Sequence, residues 1–176
     1  LRAALPDNAT ITTDAGNLAG FVARGYRFRR AGTFVGATSG TMGFGLPAAI
    51  ASSLMDPDRI AVALCGDGGF AMTMHELETA VREGAHPIAV VLDNERYGTI
   101  AGQQLKEGRP TGSTDLGAID FAAVARAHGA LGFSVEDEAG FEGALREAIT
   151  ARRTSVIHVG VDSAWLTVDE TPVSAP

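Results

Sequence analysis

The sequence has a single cysteine among 176 residues, only 14 Lys and Arg against 21 Asp and Glu, and no long apolar run. Each shortage excludes something. Cys65 alone cannot form an internal disulfide, and its place at the end of an apolar segment makes it a buried structural thiol rather than a nucleophile. A net charge of −7 provides no basic face for nucleic acid or an anionic membrane. No segment approaches the ~18 consecutive apolar residues needed to span a bilayer, and no basic, signal-like leader opens the chain. The expected location is the cytoplasm. Internal repeats and low-complexity tracts are also missing.

What is present is 45% hydrophobic content and 22 glycines, which suit one compact domain over residues 1–176. Strand-like and helix-like segments alternate, so the expected fold is α/β, a doubly wound parallel sheet flanked by helices. Strands are expected near Thr10 to Thr13, Arg59 to Cys65, Ile88 to Leu92 and Ser155 to Val159, with weaker ones near Thr33 to Gly36 and Gly132 to Val135. Continuous apolar runs such as RIAVALC and PIAVVLD belong to strands buried on both faces. Helices are expected near Asn17 to Arg24, Gly43 to Met55, Met74 to Glu83, Phe121 to His128 and Gly140 to Arg152. Thr73 and Glu76 have capping-box spacing, which places a helix start at Thr73 with Met74, Leu77 and Val81 as its buried stripe. Gly98 to Gly117, rich in glycine and poor in apolar residues, reads as an active-site loop, a mobile lid or a surface excursion. Trp165 reads as packing, and Thr171 to Pro176 as a frayed tail.

The chemistry concentrates at two strand ends. Gly66-Asp67-Gly68 closes one apolar run, and Asn94 closes the next after 25 intervening residues. Adjacent parallel strands would bring these side chains together at their carboxyl ends, where open α/β sheets bind ligands. A carboxylate and an amide oxygen are hard donors of the kind Mg2+ accepts, and Mg2+ leaves other positions for water and phosphate oxygens. Backbone N–H groups from Gly69 onward would face a diphosphate. Asp67 alone could equally be a turn residue after a strand.

A GDG followed at this distance by Asn resembles the signature of thiamine diphosphate (ThDP) dependent enzymes, most closely the acetolactate synthase-like 2-oxo acid enzymes. The resemblance includes TDAGN at 13–17, GTMGFGLPAAI at 40–50, CGDGGFAMTMHELETAVREG, VLDNERYGTI and DFAAVARAHGA. It implies Mg2+ ligands from Asp67, Asn94 and the main-chain carbonyl of Arg96. It implies cofactor contacts from Ala15, Gly16, Asn17 and Leu18, from Gly66, Asp67, Gly68 and Gly69, and from Asn94, Tyr97, Gly98 and Thr99. Leu18 stands where acetolactate synthases often have His. Asn17 could instead cap the following helix. Gly40, Thr41 and Met42 correspond to the aminopyrimidine support, with Met42 as the catalytic wedge that keeps the cofactor bent, although by residue type alone Met42 would be core filler.

The family's activating Glu lies in a different, pyrimidine-binding domain, of the same or a neighbouring chain, and has no counterpart here. The resemblance therefore implies one half-site of a ThDP- and Mg2+-dependent decarboxylase or carboligase acting on a 2-oxo acid, inactive as an isolated chain. A chain starting at Leu1 without Met would be the C-terminal part of a three-domain enzyme. When complete, it would form a homodimer or homotetramer, with FAD possible in a missing domain. Gln103 stands where acetolactate synthases commonly have a Trp facing the substrate channel, which opens bulkier or more polar 2-oxo acids.

Three other readings remain open at this stage. A small subunit of a split decarboxylase, of sulfopyruvate or phosphonopyruvate type, has a fitting length. A dinucleotide-binding or non-catalytic α/β module is the rival of another class, since GDGGFA approaches G-x-G-x-x-G with Ala71 at the third position and Asp93 as the nearest acidic candidate. That rival leaves Asn94 and GTMGFG unused. A P-loop fails because no Lys-Ser/Thr follows the glycines of GATSGTMGFG. His75, His86, His128 and His158 show no ligand spacing, and surface or edge roles suffice for each.

Overall fold

A computed structural model describes residues 1–163. Expectations for Trp165 and for Thr171 to Pro176 lie outside them. The elements run β1 (Thr10–Thr13), α1 (Asn17–Gly25), β2 (Phe34–Gly36), α2 (Gly45–Met55), β3 (Ala61–Gly66), α3 (Asp67–Thr73), α4 (Glu76–Arg82) and β4 (Ile88–Asp93). Then follow α5 (Gly98–Lys106), α6 (Phe121–Ala127), β5 (Leu131–Val135), α7 (Glu138–Ala151) and β6 (Ser155–Gly160). The six strands form one sheet in the order β2-β1-β3-β4-β6-β5, and every pairing is parallel.

Parallel strands need crossovers, and their helices cover both faces of the sheet. On one face, Ala61, Ala63, Cys65, Ala89, Val91 and Val156 meet residues of α2, α3, α4 and α6, including Leu46, Phe70, Leu77 and Phe121. On the other, Ile11, Val62, Leu64, Ile88, Val90 and Ile157 meet Val22 of α1 and Ala144, Leu145 and Ala148 of α7. The period of two along each strand divides one apolar run between two cores. Phe70 and Phe121 meet edge to face, 5.4 Å between centroids, on the α3/α6 side.

The order reverses at β1. From β1 the chain moves outward to β2, then returns to place β3 on the other side of β1. A crevice opens outside the carboxyl ends of β1 and β3, the switch point where such sheets take ligands. The registers Thr13↔Leu64 and Gly66↔Leu92 bring the ends of β1, β3 and β4 to the same level.

All six expected strands form, but two helices were not foreseen and a third starts elsewhere. α3 begins directly at Asp67, so Thr73 ends a helix instead of capping one. Its hydroxyl donates to the Gly43 carbonyl at 3.1 Å, and the N-cap of α4 is His75, without a side-chain cap bond. The capping box is therefore not formed. The buried stripe of α4 shifts accordingly: Leu77 and Ala80 are fully buried, Met74 is partly buried, and Val81 is exposed. Within Gly98 to Gly117, the first nine residues are helix α5 and not a loop. The remainder is tied back by Tyr97 N–H to the Thr114 carbonyl at 2.7 Å and Leu116 N–H to the Glu95 carbonyl at 2.8 Å.

The β2 edge has only three residues, with Phe34 and Val35 exposed. Phe34 stacks edge to face on Phe28, which in turn meets Tyr26. Exposed Arg27, Arg29 and Arg30 lie beside this aromatic corner in sequence.

Candidate functional site at the carboxyl ends of the strands

The turn after β1 is built on Gly16, whose φ of 117° is closed to residues with a side chain. Gly16, not Asn17, occupies the N-cap of α1, and it makes no side-chain cap bond, so the capping role considered for Asn17 is not realised. The Asn17 N–H donates to Thr99 Oγ1 at 3.3 Å, which brings the β1 turn against the start of α5.

At the end of β3, Asp67 is 5% exposed. One of its oxygens accepts from its neighbour Gly68 N–H at 2.7 Å, and the other from Arg96 N–H at 3.1 Å. The Asp67 carboxylate thus grips the turn that carries Asn94. Burial raises its pKa to about 6, the nearby Asp93 carboxyl adds to the rise, and the Gly68 and Arg96 amides oppose it. A divalent cation would relieve this field.

At the end of β4 the chain turns through Asn94 and Glu95, the latter in the left-handed region at φ 54°. Asp93 Oδ1 accepts from the Glu95 N–H at 2.9 Å, while Asp93 Oδ2 lies 2.8 Å from His158 Nε2. His158 therefore occupies no sheet edge: it stands on β6, between β4 and β5, and braces the turn. Sequence alone held no signal for this, since the pair is cross-strand. The Arg96 side chain turns away to Asp115 at 2.8 Å, and its carbonyl accepts from Gly98 N–H at 2.8 Å. A carbonyl oxygen has a second lone pair for a metal.

The loop before α2 carries Gly40 and Gly43 at φ 64° and 78°. Met42 is half-buried and lines the cleft, whereas Thr41 is exposed with its hydroxyl 2.5 Å from Ser39 Oγ. Of the sequence-predicted site residues, Thr41 is the one the structure leaves out of the cleft lining. The others converge: Ala15 to Leu18, Gly40 and Met42, Gly66 to Gly69, Asn94, and Arg96 to Thr99 border a single cavity of about 500 Å³. Phe21, Leu92, Ile100 and Val161 line it as well and were not foreseen. Gln103, expected at a channel position, is exposed, bonded to Glu107 at 3.2 Å and absent from the lining.

A neighbouring cleft of about 550 Å³ on the far side of the 93–96 turn is bordered by Asp93, Glu95, Asp120 and Glu136. Four carboxyls oppose an anionic diphosphate, so the glycine-lined cleft suits ThDP better. Its glycine wall has no room for side chains. A Cβ on Gly68 would come 2.5 Å from the Tyr97 ring, and one on Gly69 2.4 Å from Asp14 Oδ2, so only bare backbone can form this wall. Oxygen donors of Asp67 and Asn94, with the Arg96 carbonyl, are hard donors of the kind Mg2+ accepts. Among the described residues no helix is long and apolar enough to cross a membrane.

Comparison with known proteins adds the family context. The family described as thiamine pyrophosphate enzyme, C-terminal TPP binding domain, matches residues 14–159. An acetolactate synthase of Bacillus subtilis is 36% identical over 163 residues, which are 92% of this chain and 29% of that protein. A sulfoacetaldehyde acetyltransferase of Castellaniella defragrans is 35% identical over 166 residues, 90% of this chain and 28% of that one. Among solved structures, a ThDP-dependent 4-hydroxybenzoylformate decarboxylase of Rhodococcus jostii RHA1 superposes with a TM-score of 0.86 at 28% identity, covering 92% of this chain and 31% of that one. The chain thus spans under a third of the length of these relatives.

Proposed function

Since the chain belongs to the thiamine pyrophosphate enzymes, as their C-terminal TPP-binding domain, we propose that it supplies the diphosphate- and Mg2+-binding half of the active site of an acetolactate synthase-like 2-oxo acid decarboxylase or carboligase. The observation that carries this reading is the convergence of Asp67, Asn94 and the Arg96 turn with two glycine turns on one cavity of about 500 Å³.

Asp67, Asn94 and the Arg96 carbonyl would hold Mg2+. The amides of the Gly16 turn and of Gly69 would face the diphosphate, with Asn17 able to donate its side-chain amide. Gly40 and Met42 would support the aminopyrimidine, and Met42 would separate the two rings. Tyr97, Gly98 and Thr99 close the cleft from the α5 side. When bound, the cofactor supplies an electron sink for loss of carbon dioxide from a 2-oxo acid. The tasks left to this chain are to bind and orient: Leu18, Phe21, Met42 and Ile100 give the cleft its apolar wall, with Phe21 and Ile100 still exposed in this chain. Among the described residues the ionisable groups lining the cleft are Asp67, Arg96 and Tyr97. Asp67 is engaged with two amides and Arg96 with Asp115. The carboxylic acid that activates the cofactor is therefore sought in a pyrimidine-binding domain, of the same polypeptide or of a neighbouring subunit. The isolated chain would not turn over substrate.

The test is calorimetric titration of the complete polypeptide with ThDP and Mg2+, beside its Asp67→Ala variant. Cofactor affinity should be lost in the variant; undiminished affinity would remove Asp67 from the metal site. A panel of 2-oxo acids with different acceptors then assigns the substrate.

A further inference from the structure

Asp14, the residue between β1 and the Gly16 turn, is 2% exposed, and none of the roles above uses it. Its Oδ1 accepts from the Gly45 N–H at 2.6 Å. The amides of Phe44 and Gly43, just before α2, also face the carboxylate, as does the Cys65 thiol at the end of β3. Its Oδ2 is buried without a hydrogen-bond partner and aims at Gly69, where even a methyl group would come within 2.4 Å. Its own N–H is tied to the Leu64 carbonyl of β3 at 3.2 Å. Burial raises the carboxyl pKa, the amides at Gly45, Phe44 and Gly43 oppose that rise, and the Cys65 thiol is pushed well up.

Three cofactor-facing segments therefore meet at one side chain. The Gly16 turn follows it in sequence, the Gly40–Gly43 loop hangs from the amides it holds, and the Gly66–Gly69 turn lies against its second oxygen. The same junction is closed by Thr12 Oγ1, which donates to the Gly45 carbonyl at 2.7 Å, and by Thr73 Oγ1 on the Gly43 carbonyl. A buried carboxylate with an orphan oxygen is costly, and a hydrophobic residue would fill the space more cheaply. Such a group suits a use that a packing residue would not serve.

We propose that Asp14 is a positioning residue that fixes the distance between the pyrimidine-side loop at Gly40–Gly43 and the diphosphate-side turn at Gly66–Gly69, so that a ligand spanning both ends meets a preset gap. The inference rests on the ThDP reading of the cleft. It predicts a selectivity that loss of stability alone would not produce. A ligand reaching both ends should depend on Asp14, whereas one filling only the diphosphate end should not.

The experiment uses the complete polypeptide and two probes with Mg2+: ThDP and inorganic pyrophosphate. Asp14→Ala should weaken ThDP binding by about tenfold or more, since an unsatisfied buried amide and a loosened loop both count against it. Pyrophosphate affinity should stay within about twofold. Asp14→Asn keeps an acceptor for the Gly45 N–H and should restore ThDP binding. Equal weakening of both probes, unchanged ThDP affinity in Asp14→Ala, or a loss in Asp14→Asn as large as in Asp14→Ala would overturn the proposal. Should Asp14→Ala fail to fold, amide exchange on the wild-type protein decides. In the ligand-free protein the Gly45 N–H should exchange slowly because the Asp14 carboxylate holds it, and exchange as fast as in an open loop would overturn the link. A wild-type protein that binds neither probe overturns the ThDP reading and this inference with it, whereas wild-type binding with an indifferent Asp14→Ala overturns the inference alone.

Discussion

Single residues separate here by whether their partner is near in the chain or far. Asp67 and Asn94 are legible in the sequence because each terminates an apolar strand, and adjacent parallel strands bring such ends together. Asp14 and His158 are not, because their meaning depends on Gly45 and Gly69, and on Asp93, across packed elements. Asp67 also carries a pH signature. Its pKa is raised to about 6 in the folded protein, against an ordinary carboxyl value near 3.9 in the unfolded chain. Between these values the folded state keeps a proton that the unfolded state has released. Metal-free protein should therefore lose stability as pH rises from about 4 through about 6, by an amount on the order of 3 kcal/mol at full ionisation. Asp67→Asn should remove that slope, and denaturant melts from pH 4 to pH 7 without Mg2+ check it. An identical slope in the variant would assign the effect to other groups.

The elements were recovered where periodicity is strong and missed where glycine hides it. β3 and β4 announce themselves as apolar runs of strand length. α5 is hidden in the sequence because Gly98 and Gly102 dilute the pattern, although Gln103, Gln104, Leu105 and Lys106 are all good helix formers. α3 was missed because GDGGFA reads as a turn, yet the chain turns helical at Asp67. An early helix start left Thr73 free to bond Gly43, which the capping-box reading could not anticipate. Among the helix contacts, α6 on β5 is the tightest place to probe. A Cβ on Gly132 would come 2.1 Å from the Ala122 carbonyl. Gly132→Ala should push α6 off the sheet and cost about 1–3 kcal/mol, read by thermal melting, while leaving ThDP affinity of the folded fraction unchanged. A neutral melt would mean that α6 slides freely.

At the scale of the whole molecule, the doubly wound sheet follows from alternating segments, and its switch point between β1 and β3 places the cleft. Among the described residues the cleft lining offers no carboxylic acid besides Asp67, so the isolated chain should bind Mg2+ and ThDP weakly and release no carbon dioxide from any 2-oxo acid. Turnover by the isolated, purified chain in a coupled decarboxylation assay would contradict that division of labour. The three-residue β2 edge bears on how the chain behaves in solution. Its exposed Phe34 and Val35 offer open backbone and apolar surface to a second sheet, the arrangement from which fibrous stacking grows. Arg27, Arg29 and Arg30 add positive charge beside it in sequence, Arg29 reaching Asp7 at 3.6 Å, and that charge is screened at a Debye length of about 3 Å in 1 M salt. Light scattering should therefore find the chain clear in dilute buffer and turbid as ionic strength rises, and turbidity independent of salt would remove the corner's role.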